Sequence, residues 1–179
     1  MNIVFLDIDG VIVPYNALES QYHIHENIQE KLTKKYNADY TKYNAYEVYS
    51  AYYDWNKKAL KNLKIILEET KSKIIVSSDW RDENKPDKIK DFLKIHKLDN
   101  YWFEDNIINK KYGMDPVKKR VMEINQSIYD YPITNFVILD DMIELKKYFP
   151  NNYVKTYDYL KEDNVKEAIR ILNNKSINK

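Results

Sequence analysis

The 179-residue chain contains no cysteine. That excludes disulfides, zinc–thiolate sites and thiol nucleophiles, and it suits a reducing cytoplasm, the compartment expected here. Glycine is almost missing too: Gly10 and Gly113 are the only two. No apolar run approaches the length of a membrane span, so no membrane partner is expected. The first residues enter a strand pattern at once, which argues against a signal peptide. Excess charge is absent as well. Lys+Arg number 29 against 28 Asp+Glu, a net charge of +1, so no global basic field draws the chain to nucleic acid; a local patch stays open. What remains is a chain with 44% hydrophobic residues, long enough for one globular domain over 1–179.

The richest stretch is Ile3-Val-Phe-Leu-Asp-Ile-Asp-Gly-Val11. An apolar run ends in two acids one residue apart, and Gly10 stands directly behind Asp9. Side chains alternate along a strand, so Asp7 and Asp9 project to the same side at its end. Two carboxylates there repel unless a cation sits between them or one keeps a proton. Such a pair suits magnesium-assisted phosphoryl chemistry.

Short apolar runs alternate with amphipathic stretches along the rest of the chain. That predicts an α/β fold: a three-layer sandwich with a mostly parallel, Rossmann-like sheet. Ile3–Leu6, Lys73–Ser77 and Asn135–Leu139 read as strands, with Tyr153–Thr156 as a fourth. Ala59, Leu60, Leu63, Ile66 and Leu67 fall at helical spacing, as do Ile89, Phe92, Leu93 and Ile95. Asp115-Pro116 has the form of a helix start, an N-cap followed by proline. Asp163 is the expected cap of a last helix carrying Val165, Ala168, Ile169, Ile171 and Leu172. Nine of the seventeen tyrosines fall in the segment 14–53, between the first strand and the helix feeding the second. It reads as a small helical cap inserted above the end of the sheet where such folds bind ligands.

Three strand ends carry residues fit for phosphate chemistry: Asp7 with Asp9, Ser77-Ser78-Asp79-Trp80-Arg81, and Asp140-Asp141. A hydroxyl can bond a phosphoryl oxygen, and paired acids can hold a hard cation. These motifs resemble the haloacid dehalogenase (HAD) superfamily of phosphohydrolases. The closer similarity is to the small HAD domains of the Swiss-army-knife RNA-repair type. The 3′-phosphatase domain of polynucleotide kinase–phosphatases is a more distant likeness. The Ser-x-Trp-Arg pattern Ser78–Arg81 and the helix motif Arg120-Val-Met-Glu123-Ile124, about twenty residues before the paired aspartates, carry the resemblance.

The resemblance implies a Mg2+-dependent phosphatase acting through an aspartyl-phosphate. Asp7 would be the nucleophile, Asp9 the acid and base, and Ser77 the phosphoryl ligand. Asp140 and Asp141 would hold the metal with Asp7 and the main-chain carbonyl of Asp9. Ser78, Arg81 and Gly10 would line the substrate. The cationic residue is expected at Arg120, which borders the face made by Val117, Val121, Ile124 and Ile128; Lys118 is the reserve and Lys119 points away. The substrate would be a phosphorylated small molecule or a nucleic-acid end. A metabolite phosphatase and a non-catalytic phosphate-recognising module are the competing readings. Trp80 is read as packing, and Arg81 either binds a second phosphate or pairs with an acid. Tyr40, Tyr43, Tyr46, Tyr49 and Tyr52 recur every third residue, so on one helix some rings stay exposed, open to base stacking or to packing within the cap. His23 and His25 are expected as exposed helix residues rather than ligands.

Overall fold

Short β-branched runs between amphipathic helices bury both faces when the strands lie parallel with helices on either side. The computed structural model describes residues 1–105 and 114–174 and has this form. The strands are β1 (Asn2–Leu6), β2 (Lys73–Val76), β3 (Trp102–Asp105), β4 (Asn135–Asp140) and β5 (Tyr153–Lys155). All pairings are parallel, in the order β3-β2-β1-β4-β5. The helices are α1 (Ile28–Tyr36), α2 (Ala45–Tyr53), α3 (Lys57–Thr70), α4 (Lys88–Ile95), α5 (Pro116–Asp130) and α6 (Glu162–Asn173). Among the described residues no helix is long and apolar enough to cross a membrane.

Strand register decides which side chains reach α5. Phe5 pairs with Ile75 on one side and Ile138 on the other, and all three face Ile124 of that helix. Val4 and Leu6 point the opposite way, into a larger core shared with α3, α4 and α6. One step beyond β1, Asp7 N donates to Leu139 O at 3.0 Å, and Ser77 N donates to Leu6 O at 2.8 Å. Asp7, Ser77 and Asp140 therefore continue the parity of Phe5, Ile75 and Ile138, towards α5.

Two expectations need correcting. β3 is not among the expected strands, because Trp102-Phe-Glu-Asp105 has neither alternation nor a motif to mark it. Asp163 does not cap α6. Lys161 is the N-cap, and its N–H donates to the Asn164 side chain at 2.9 Å, while Asp163 lies in the first turn.

The inserted segment contributes α1, α2 and two short 3₁₀ turns. Its tyrosine series does not lie on one helix, since Tyr40–Lys42 is a 3₁₀ turn and α2 starts at Ala45. Tyr40, Tyr43 and Tyr49 are buried, while Tyr46 and Tyr52 are exposed. The Tyr40 hydroxyl donates to Asp91 O at 2.7 Å and the Tyr43 hydroxyl to Asp91 Oδ2 at 2.6 Å. Tyr36 donates to Ile95 O, and Lys88 pairs with Glu47 at 2.8 Å. The insertion is thereby joined to α4. His23 lies between Glu19 and Glu26 and pairs with both, and His25 is exposed.

Candidate active site

Parallel strands bring their carboxyl ends to one edge, and three carboxylates meet there. Asp7, Asp140 and Asp141 each offer an oxygen within 4.8 Å of the others. Asp7 and Asp140 are buried and Asp141 is half-buried. The Asp9 carboxylate is not one of these three. It is exposed, and the Trp80 indole Nε1 donates to its Oδ2 at 2.9 Å.

α5 supplies the cation. Successive helix residues turn by about 100°, so Arg120 shares the inner side with Glu123, Ile124 and Ser127, whereas Lys118 is turned away. Arg120 is buried, Lys118 exposed. The Arg120 guanidinium lies 2.8 Å from Asp140 Oδ2 and 3.4 Å from Asp7 Oδ1, and donates to Ser77 O. Lys118 as reserve is thus corrected: its contribution is a backbone N–H donated to the Asp115 cap. Lys119, expected to point away, pairs with Asp79 at 3.2 Å.

The two serines differ. The Ser78 hydroxyl accepts from Trp80 N at 3.4 Å and lies close enough to Asp7 to pull its pKa down. Among the described residues the buried Ser77 hydroxyl has no hydrogen-bond partner, which leaves a donor beside the carboxylates for a ligand to use. Arg81 is buried against Glu123 at 2.7 Å, and its Nε donates to Ser78 O. Of the two alternatives for Arg81, pairing with an acid is the one present. The Arg81–Glu123 pair links the turn after β2 to α5.

Gly10 adopts φ +69°, the left-handed region that side chains disfavour. A Cβ there would lie 2.7 Å from Asp141 Oδ2 and 2.9 Å from Asp141 Cβ. Rather than facing an open substrate cradle, Gly10 makes room for Asp141. A Gly10→Ala variant is expected to lose about 1–2 kcal/mol in urea denaturation. Unchanged stability would show that Asp141 shifts aside without cost.

Tyr15 completes the rim. Its hydroxyl donates to Asp141 Oδ2 at 2.7 Å, and burial together with that carboxylate pushes its pKa up to about 12. Neither this contact nor the Trp80–Asp9 bond is visible in the sequence. They join residues 126 and 71 positions apart, and no motif spacing encodes them.

Burial raises the pKa of Asp7, against the pull of Arg120 and Ser78. Burial and the Asp7 charge push Asp140 up to about 7, although Arg120 touches it. The cause is charge balance. One guanidinium faces three carboxylates, leaving two negative charges uncompensated when all are ionised. A dication would cancel that excess, and an all-carboxylate set suits magnesium. The residues therefore fit the ion. A carboxyl raised from 3.8 to about 7 makes the folded state hold its proton more tightly. Between those values the metal-free protein loses stability as pH rises. Magnesium competes with that proton, so its thermal upshift is expected to be small at pH 5 and to grow towards pH 8. An equal upshift at both pH values, or none, would contradict metal binding at this cluster.

The sheet order, the acids after β1 and β4, and a buried cation from the helix before β4 define a HAD-type hydrolase. The chain belongs to the HAD domains of Swiss Army Knife RNA repair proteins, whose family model matches residues 3–165. Among solved structures it is similar to a haloacid dehalogenase-like hydrolase from Burkholderia xenovorans. The two share 14% identity and a TM-score of 0.50, over 96% of this chain and 98% of that one. At that identity the likeness speaks for the fold. No curated protein matches the chain.

Proposed function

We propose that the protein is a magnesium-dependent phosphomonoester phosphatase working through an aspartyl-phosphate, on nucleotides or polynucleotide ends, in the cytoplasm. The observation that carries this reading is the Asp7 carboxylate at a strand tip, 3.4 Å from a buried guanidinium and clustered with Asp140 and Asp141.

An Asp7 oxygen attacks phosphorus, and the bond to the ester oxygen breaks. Asp9 gives its proton to the departing oxygen. Although the residue is exposed, partial shielding of its carboxylate from water raises the pKa, the Trp80 bond restrains it, and Asp141 and Asp79 raise it again, which favours a protonated carboxyl. Asp9 then takes a proton from water as that water attacks the aspartyl-phosphate, releasing phosphate and restoring Asp7. The unpartnered Ser77 hydroxyl donates to a phosphoryl oxygen, and Arg120 holds charge on Asp7. Asp7, Asp140 and Asp141 would hold the metal, which when bound supplies positive charge next to the transferring phosphoryl group.

The test is release of inorganic phosphate from an aryl phosphate with magnesium, abolished by a chelator. A protein that binds phosphate but releases none would instead be a recognition module. Comparing a 3′-phosphorylated oligonucleotide with a panel of free nucleotides and sugar phosphates separates the polynucleotide substrate from the metabolite one.

A further inference from the structure

One side of the active-site rim leads away along aromatic and basic residues. Tyr15 bonds Asp141, and its ring meets Tyr157 edge-to-face with centroids 6.2 Å apart. Both rings stay open to solvent, Tyr15 at 55% and Tyr157 at 70%. Lys161 lies over Tyr157 at 5.7 Å and over Tyr159 at 5.3 Å. Tyr159 and Lys161 in turn line a cavity of about 650 Å³ between α3 and α6, with Lys58, Lys61 and Lys166 on its walls. Four lysines there face two acids, Glu162 and Asp163, and among the described residues only Lys166 is paired, with Asp163 at 3.7 Å.

This track is held in place. Asp158 adopts φ 72°, and its carboxylate accepts from Tyr15 N at 3.1 Å. Leu160 N donates to Val11 O at 2.9 Å, and the Asn62 side chain donates to Leu160 O at 3.0 Å. The loop bearing Tyr157 is therefore tied both to the turn after β1 and to α3. The topology also orients the lysines. α3 runs back before β2 and α6 follows β5, so both helices begin at the edge of the sheet where Asp7 stands. Lys58 and Lys61 fall within the first five residues of α3, and Lys161 is the N-cap of α6.

The opposite side of the rim is different. A smaller cleft of about 380 Å³ is lined by Arg81, Lys85 and Lys88 against three acids, Glu47, Asp79 and Asp82, and Arg81 and Lys88 already pair with Glu123 and Glu47. It offers less charge to a phosphate chain.

We infer that a single-stranded polynucleotide lies along Tyr15, Tyr157 and the α3–α6 lysines, with its terminal phosphate at Asp7. The last bases stack on the exposed rings, and the preceding phosphates meet Lys161, Lys61 and Lys58. The placement of the terminal phosphate rests on the phosphatase reading; the binding track does not.

The test uses the whole protein and a short fluorescent single-stranded oligonucleotide carrying a 3′-phosphate, read by anisotropy at low salt. A Lys61→Glu/Lys161→Glu double variant is expected to bind about tenfold more weakly or worse, with a shallower salt dependence. Tyr157→Ala is expected to weaken binding by about fivefold or more. Both variants should hydrolyse an aryl phosphate at the wild-type rate, which also shows that they fold. Absence of wild-type binding, or equal binding by wild type and both variants, overturns the track. If the wild type binds through these residues but hydrolyses no aryl phosphate, the phosphatase reading fails and the track stands.

Discussion

An Asp7→Asn variant will lose magnesium-dependent hydrolysis of an aryl phosphate, by about 10⁴-fold or more. Asparagine keeps the shape and can still accept a hydrogen bond, but it cannot attack phosphorus. The fold should survive the change. Asp7 sits where burial penalises its charge, so a neutral amide relieves a cost in the metal-free protein, and Arg120 keeps Asp140 as its partner. The expected pair of results is therefore a dead enzyme with unchanged or raised thermal stability. Asp9→Asn should differ in kind: with a good leaving group the phosphoenzyme forms and then persists, visible as a burst without turnover. Wild-type rates in the Asp7 variant would sink the nucleophile assignment.

The second large effect is expected at Arg120. Replacing it with methionine leaves Asp7 and Asp140 buried with no guanidinium between them. Removing one partner from a buried ionic group typically costs about 3–5 kcal/mol. Proton linkage gives that cost a direction. Without the cation the folded-state carboxyl pKa values rise further, so the penalty is fully present above them and is relieved as pH falls and the acids take up protons. Asp140 already stands at about 7 with the cation in place. Urea denaturation without metal should show the wild-type advantage at pH 8 and little of it at pH 5. Arg120→Lys should recover part of the stability, since it restores charge on a shorter side chain that does not carry its nitrogen as far towards Ser77 O and Asp140. Equal losses at both pH values would mean that Arg120 acts through packing alone.

The difference between Arg120 and Lys118 shows how far local periodicity reaches. Helical rotation puts Arg120 next to the apolar face, and the parity of β1, β2 and β4 puts Asp7, Ser77 and Asp140 on the same side. Both inferences use repeats that a single sequence carries in full. The parallel α/β sandwich is legible for the same reason. Lys119 defies its helical position because its partner, Asp79, comes from another strand end. Glu123 beneath Arg81, Trp80 on Asp9 and Tyr15 on Asp141 are illegible on the same ground. Each depends on how distant turns settle against one another, after the sheet has formed. The tyrosines mislead in the opposite way. Their even spacing suggests one continuous helix, yet a 3₁₀ turn and an Asn44 cap break the series, and tertiary packing decides which rings are covered.

The bolting of the inserted helices onto α4 has a consequence for turnover. Swinging them would strip partners from the Tyr36, Tyr40 and Tyr43 hydroxyls, at about 1 kcal/mol each, and would wet two buried rings. A segment so fastened is no shutter. On the phosphatase reading, the exposed Asp9 carboxylate would then be dried by the arriving substrate rather than by these helices, and rewetted once the alcohol departs.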